Sequence, residues 1–175
     1  LQRQFKADEP NRVWVSDVTC FKINDKYLYI CVILDLFSRK VVAYRVSPKN
    51  STYLITSTFR QAYQNRNAPQ SLMFHSDQGA QYTSKTFCKL LRMNKVVQSF
   101  SAPGQPHDNA VMESFFSFMK REEIYRTHYK SEQQFAKSVD NYIEFYNTQR
   151  PHSTLNYKTP DQFEAIYEVK KKYVD

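Results

Sequence analysis

The chain has 175 residues, 41% hydrophobic and 15% aromatic, which suits one domain with a sizeable core and excludes a disordered composition. Its 25 basic and 17 acidic residues give a net charge of +8, which favours a polyanionic partner, nucleic acid first. No apolar run reaches the ~18 residues of a membrane span, no secretion signal is recognisable at the start, and two glycines, Gly79 and Gly104, exclude glycine-rich phosphate loops.

Residues 1 to 12 are polar and charged and read as a linker into the domain. The chain opens on Leu1-Gln2-Arg3 rather than Met and reads as a fragment of a longer protein, with the domain over 13–175. Three strand-like runs follow, Val13 to Phe21, Lys26 to Leu34 and Arg39 to Val46, separated by short polar breaks. That pattern predicts an antiparallel meander. The period then changes. Ser51 to Arg66 puts Ile55, Phe59, Ala62 and Tyr63 on one helical face. Ser71 to His75 is a short strand, Ser84 to Asn94 a helix with Phe87, Leu90 and Leu91 inward, and Val96 to Phe100 a fifth strand.

After the loop from Ala102 to His107, Asp108 is a candidate N-cap for a helix to about Tyr125, with Met112, Phe115, Phe116 and Met119 as its apolar stripe. Ser131 and Gln134 predict a capping box for the next helix, which buries Phe135, Val139, Tyr142, Ile143 and Tyr146 and ends at Pro151. Thr159-Pro160 with Gln162 starts a last one. The order β-β-β-α-β-α-β-α-α-α makes an α/β fold, a five-stranded mixed sheet flanked by helices, similar to ribonuclease-H-like folds. Cys20, Cys31 and Cys88 fit neither a zinc spacing nor a disulfide framework. Those in apolar runs are expected as small core residues, and a reducing cytoplasm as the compartment.

Three acids bear on chemistry. Asp17 lies inside a hydrophobic strand, where a carboxylate is costly unless paired, hydrogen-bonded or metal-bound; Thr19 or a backbone group could satisfy it. Asp77 follows a strand at its C-terminal edge, where ligands gather in open α/β sheets, and Asp77-Gln78-Gly79 is equally a common turn. Glu113 shares a helix face with Asn109 and Lys120, opposite the Met112 stripe, as a solvated polar face also would. Phosphodiester chemistry needs a nucleophile activated and a leaving oxygen stabilised. Two divalent ions held by a few carboxylates do both.

Jointly the pattern is specific. Thirty-five residues separate Asp77 from Glu113. Around the acids lie Trp14-x-x-Asp17-x-Thr19, Asp35-Leu36-Phe37-Ser38-Arg39 and His75-Ser76-Asp77-Gln78-Gly79-x-Gln81-Tyr82. Further on come Pro106-x-Asp108-Asn109-Ala110-x-x-Glu113, Lys120-x-Glu122, Tyr146-Asn147-x-x-Arg150-Pro151-His152 and Thr159-Pro160. With these motifs the chain resembles the catalytic core of the retroviral integrase and insertion-sequence transposase superfamily, OrfB type, over nearly all of residues 11 to 165.

The resemblance implies that Asp17, Asp77 and Glu113 are catalytic and hold two Mg²⁺ or Mn²⁺ ions. It implies that Asn109 and Lys120 approach DNA from the glutamate helix, that mobile-element ends and target DNA are the partners, and that the active complex is a homo-oligomer. The implied activity is metal-dependent DNA cleavage and strand transfer, with sequence recognition in upstream segments. The stretch Pro103 to His107 departs from the more usual charged, glycine-bearing loop. Two rivals are a nuclease of the same fold that cuts without joining and a catalytically silent DNA-binding module. Asp35 reads as a turn-stabilising residue with Arg39 or a backbone partner. His75 reads either as a flank of the metal site or as a satisfied structural histidine. Arg150 and His152 are candidate DNA-backbone contacts or structural bonds.

Overall fold

The computed structural model of the chain describes residues 7 to 101 and 109 to 173. Three strands open it: β1 (Val13–Ile23), β2 (Lys26–Asp35) and β3 (Val41–Ser47). They pair antiparallel in the expected meander. The β1–β2 turn is two residues long, Asn24 and Asp25, both with positive φ (46° and 65°). Such a turn matches the right-handed twist of the flanking strands, and Asn and Asp tolerate that conformation.

Helix α1 (Thr52–Asn65) then crosses to β4 (Met73–Ser76), and α2 (Lys85–Met93) to β5 (Val97–Phe100). Both strands join in parallel, so the sheet order is β3-β2-β1-β4-β5. Helices α3 (Ala110–Glu122), α4 (Glu132–Thr148) and α5 (Pro160–Lys172) complete the chain. No helix among the described residues is long and apolar enough to cross a membrane.

The core divides at the sheet. On one face, Val15, Leu28, Ile30, Val32 and Leu34 meet Met112, Phe115 and Met119 of α3 and Phe135, Val139 and Tyr146 of α4. On the other, Trp14, Cys31 and Ile33 meet Ile55, Phe59 and Ala62 of α1 and Phe87 and Leu91 of α2. β2 is fully buried from Ile30 to Asp35, which explains why it reads as a nearly continuous apolar run. The two-residue alternation of β1 follows from this division. Trp14 faces α1 and α2; Val15, Phe21 and Ile23 face α3 and α4, and Asp17 shares their parity.

Several boundaries differ from expectation. α3 begins at Ala110 with Asn109 in the N-cap position and no side-chain cap bond; the expected cap, Asp108, lies outside the described residues. α3 ends at Glu122, and a 3₁₀ turn over Ile124–Arg126 follows it. Ser131 caps α4 by accepting from the Gln134 amide, but the Gln134 side chain accepts from the Lys130 amide, so the capping box is only half closed. At Thr159 both bonds of the box form. α4 stops at Thr148, before Pro151. Cys31 is a core residue as expected, Cys88 is half-buried, and Cys20 is exposed.

Candidate active site

Asp17 sits mid-strand in β1, opposite Val32, and is half-buried. Its Oδ1 accepts from the Val18 amide at 2.7 Å, so the backbone rather than Thr19 satisfies one oxygen. Burial pushes its carboxyl up to about 6. The Val18 amide pulls it down, the charges of Asp77 and Glu113 push it up again, and Lys120 opposes them. The three acids of the sequence pattern are therefore electrostatic neighbours, brought together from a strand, a strand end and a helix.

Asp77 follows the last residue of β4 and is exposed. Its Oδ1 accepts from the Gly79 amide at 3.0 Å, so the turn reading is also correct: the carboxylate closes a local turn. A methyl group on Gly79 would stand 3.0 Å from that same oxygen, so a side chain here would press on the carboxylate. Glu113, in the first turn of α3, is exposed on the face opposite the buried Met112, Phe115, Phe116 and Met119. An open cavity of about 420 Å³ is lined by Asp17, Thr19, Glu113, Ser117 and Lys120. Lys120 thus shares the Glu113 face as its spacing required. Its ammonium also lies 5.7 Å from the Phe21 ring centroid.

Carboxylate oxygens are the donors a hard divalent cation takes, and a cation would relieve the mutual repulsion that raises Asp17. Among the described residues, no three acid, histidine or cysteine side chains are gathered tightly enough to hold one ion as they stand.

The remaining sequence candidates are placed differently. Asn109 is buried at the start of α3, and its Oδ1 has no hydrogen-bond partner. It does not stand on the open face with Lys120. Arg150 donates from Nε and Nη2 to the two oxygens of Glu122, at 2.8 and 2.7 Å, and its guanidinium lies 4.2 Å from the Phe118 ring centroid. Tyr142 donates to the same carboxylate at 3.0 Å. His152 is buried with its ring against Tyr146, and burial pushes it down to about 4. Both therefore have structural partners: one edge of the guanidinium is bonded to Glu122 and one face lies against Phe118, and the imidazole is neutral and packed on Tyr146. The motif Lys120-x-Glu122 carries one function on each residue, since Lys120 faces the acids and Glu122 ties α3 to the end of α4.

Asp35 accepts from the Asn11 and Phe37 amides at 2.7 and 3.0 Å, the backbone role expected of it. His75 lies between Ser99 and Ser101 of the neighbouring segment, at 3.0 and 3.2 Å, as a structural link across β4 and β5.

A further link has only a faint local sequence signal. The buried Tyr82 hydroxyl and Ser16 Oγ share a hydrogen bond of 2.8 Å, and Ser16 donates to the Val32 carbonyl. This ties the loop that carries Asp77 to the residue before Asp17. A serine inside a hydrophobic strand was the one available hint.

Two family models, each described as Integrase core domain, match residues 7–106 and 94–160. The chain is 40% identical over 165 residues to the transposase for insertion sequence element IS904 of Lactococcus lactis subsp. lactis (strain IL1403), covering 94% of this chain and 65% of that protein. To the putative transposase InsK for insertion sequence element IS150 of Escherichia coli (strain K12) it is 36% identical, covering 93% of this chain and 58% of that one. The chain thus spans less than two thirds of the length of these curated relatives. Among solved structures, the HTLV-2 integrase catalytic core domain in complex with magnesium (trimeric form) superposes with a TM-score of 0.74 at 18% identity, over 90% of this chain and 99% of that one. The BIV integrase catalytic core domain gives 0.69 at 19% identity, over 93% and 99%. At that identity the likeness is one of fold, and the fold is ribonuclease-H-like. By the match over more than half its length, the chain belongs to the integrase core domain family.

Proposed function

We propose that the chain is the catalytic core of a DNA transposase, cleaving the ends of a mobile element and joining them to target DNA. The observation that carries this reading is that the charges of Asp77 and Glu113 both act on the half-buried Asp17, with Glu113 and Lys120 beside it in an open cavity.

The three carboxylates would hold two Mg²⁺ or Mn²⁺ ions. Bound ions of this kind activate a water or 3′-hydroxyl and stabilise the leaving oxygen in an in-line displacement. The protein's part is positional. β1 fixes Asp17 through pairing with β2 along its length and with β4 over Val13 to Val15, α3 fixes Glu113 through four buried side chains, and the Gly79 amide holds one oxygen of Asp77. Lys120 supplies a point charge for a DNA phosphate. Asp17 is the acid most in need of a cation, being both desolvated and repelled.

Action on paired DNA ends as a homo-oligomer belongs to the same reading, and the HTLV-2 core with magnesium exists in dimeric and trimeric forms. So does work in a reducing cytoplasm on the nucleoid, with all three thiols unpaired.

The test is strand transfer by the whole transposase on its own element's end, supplied with a free 3′-hydroxyl and Mn²⁺ or Mg²⁺. Glu113→Gln and Asp77→Asn are expected to abolish joined product. Joining that survives either change overturns the assignment, and cleavage without any joining by the unaltered protein makes it a nuclease.

A further inference from the structure

The open face does not end at the carboxylates. The cavity that holds Asp17 and Glu113 runs along β1 over Val18 and Thr19. A second cavity, of about 320 Å³, continues along the same strand from Cys20 to Asn24. Tyr125 lines both, at their junction.

Three features of this track bear on what it would hold. First, β4 pairs with β1 only over Val13 to Val15, so the edge of β1 from Asp17 onward has no strand beside it among the described residues. Second, the acids of the track are confined to its reacting end. Beyond Glu113 the lining cations are Lys120, Arg121 and Lys22, the last in a surface pair with Asp25, and no acid lines the second cavity. Third, Tyr125 is 72% exposed, on the 3₁₀ turn after α3. Of the large exposed aromatic side chains, it alone lines the cavity of Asp17 and Glu113 among the described residues. An exposed ring beside a basic groove is the combination by which proteins hold single-stranded nucleic acid: cations follow the phosphates and an aromatic face stacks a base.

We propose that Tyr125 stacks an unpaired nucleobase of the DNA strand whose phosphate lies at Asp17 and Glu113, and that the groove from Cys20 to Asn24 is the path of that strand. This rests on the transposase reading and extends it. The chain would then favour DNA with a single-stranded segment next to the reacting phosphate, because a base still paired in duplex has no free face to offer. A peptide strand added to the open edge of β1 is the other occupant such a surface could take, and it would place no demand on an aromatic ring.

The experiment is a metal-free titration in EDTA of a fluorescein-labelled duplex with a single-stranded overhang, followed by anisotropy. A parallel series carries 2-aminopurine at successive overhang positions. Tyr125→Ala is expected to weaken binding of the overhang DNA about tenfold and to abolish the 2-aminopurine quenching that the unaltered chain produces at one position. Tyr125→Phe is expected to keep both, and blunt duplex is expected to be insensitive to either change. Unchanged affinity in Tyr125→Ala, or equal damage in Tyr125→Phe, overturns the stacking role while leaving the transposase reading intact. An unaltered chain that binds no overhang DNA overturns the stacking role as well, while strand transfer by the whole transposase decides the transposase reading. Because the side chain is exposed, neither substitution disturbs the fold, and circular dichroism checks that directly.

Discussion

Two aspartates on the central β1–β2 ladder have the same disturbed chemistry and opposite surroundings. Asp35 ends β2 opposite Trp14, and Asp17 lies three positions further along β1, opposite Val32. Burial pushes both carboxyls up to about 6. Around Asp35 everything is closed. The Asn11 and Phe37 amides donate to it, Phe37 packs on Phe163 and Tyr167 of α5, and Ser38 and Arg66 both bond Glu164. Around Asp17 one amide donates, two other carboxylates face it, and the cavity is open. A raised carboxyl therefore does not mark a site. What marks this one is like charge from two other carboxylates beside open space.

The largest expected effect separates the two ends directly. Asp17→Asn keeps an acceptor for the Val18 amide and removes a charge repelled by its neighbours, so thermal stability should hold or rise slightly. Strand transfer should fall on the order of a thousandfold, since metal stabilisation is worth several kcal/mol and ~1.4 kcal/mol is tenfold in rate. Asp35→Ala should do the reverse. It strands two half-buried amides, at a cost of about 1 to 3 kcal/mol, and lowers activity only through the folded fraction. Urea titration and strand-transfer rates on both variants check this. A thousandfold loss in Asp35→Ala at temperatures where it stays folded would erase the distinction.

How far the sequence revealed this contrast depends on the range of the interaction. Short-range signals were dependable. Alternation and helical period located the five strands and five helices of the described residues, the buried stripes of α3 and α4 came out residue for residue, and Thr159-Pro160 starts α5, although the capping box expected at Ser131 is only half closed. Lys120 was legible for the same reason, because seven residues is two helical turns. Pairings across the chain were not. Glu164 meets Arg66 98 positions away and Ser38 126 away, and Tyr82 meets Ser16 across 66. Nothing in the local pattern of an amphipathic helix says that one glutamate will be gripped by a distant arginine. Arg150 and His152 were recognisable as special, but which partner they served depended on where α4 ended against α3. The acids themselves were legible only as a set, since Asp77 makes the very turn that its local sequence suggests.

The brace between α3 and α4 gives a smaller effect with a pH signature. The Arg150 guanidinium holds the Glu122 carboxyl below its ordinary value. A depressed folded value means the contribution is present above the unfolded value, near ~4.3, and is lost as pH falls through the folded value. Arg150→Ala should cost about 1 to 2 kcal/mol at neutral pH, discounted for the partly exposed pair and including the lost Phe118 contact. The difference from the unaltered chain should shrink below about pH 4. Asp35 has the opposite sign. Its folded value lies above the unfolded one, so its contribution is greatest in acid and is lost as pH rises towards 6. Thermal denaturation from pH 3 to 7 separates them: an Arg150→Ala difference that grows in acid would contradict the assignment.

Gly79 offers the smallest perturbation, and it acts only at the open end. Its methyl group in Gly79→Ala would stand 3.0 Å from Asp77 Oδ1 and 3.5 Å from Gln81 Oε1, tighter than a comfortable contact on one side. The carboxylate must shift by a few tenths of an ångström, and Asp77 is exposed, so the shift costs little: stability should change by less than about 0.5 kcal/mol. Catalysis is less tolerant, because a misplacement of ~1 Å can cost a hundredfold in rate. A shift of this smaller size should lower strand transfer by about three- to tenfold. Because the methyl group touches an oxygen already engaged by the Gly79 amide, the loss should fall on the rate at saturating metal and leave DNA binding in EDTA unchanged. Asp77 in the Gly79→Ala variant would then be present but slightly misplaced, which isolates position from the loss of the carboxylate in a way that neither Asp77→Asn nor Asp17→Asn can. If Gly79→Ala weakened metal-free DNA binding as much as it slowed joining, the turn would be serving the DNA rather than the carboxylate.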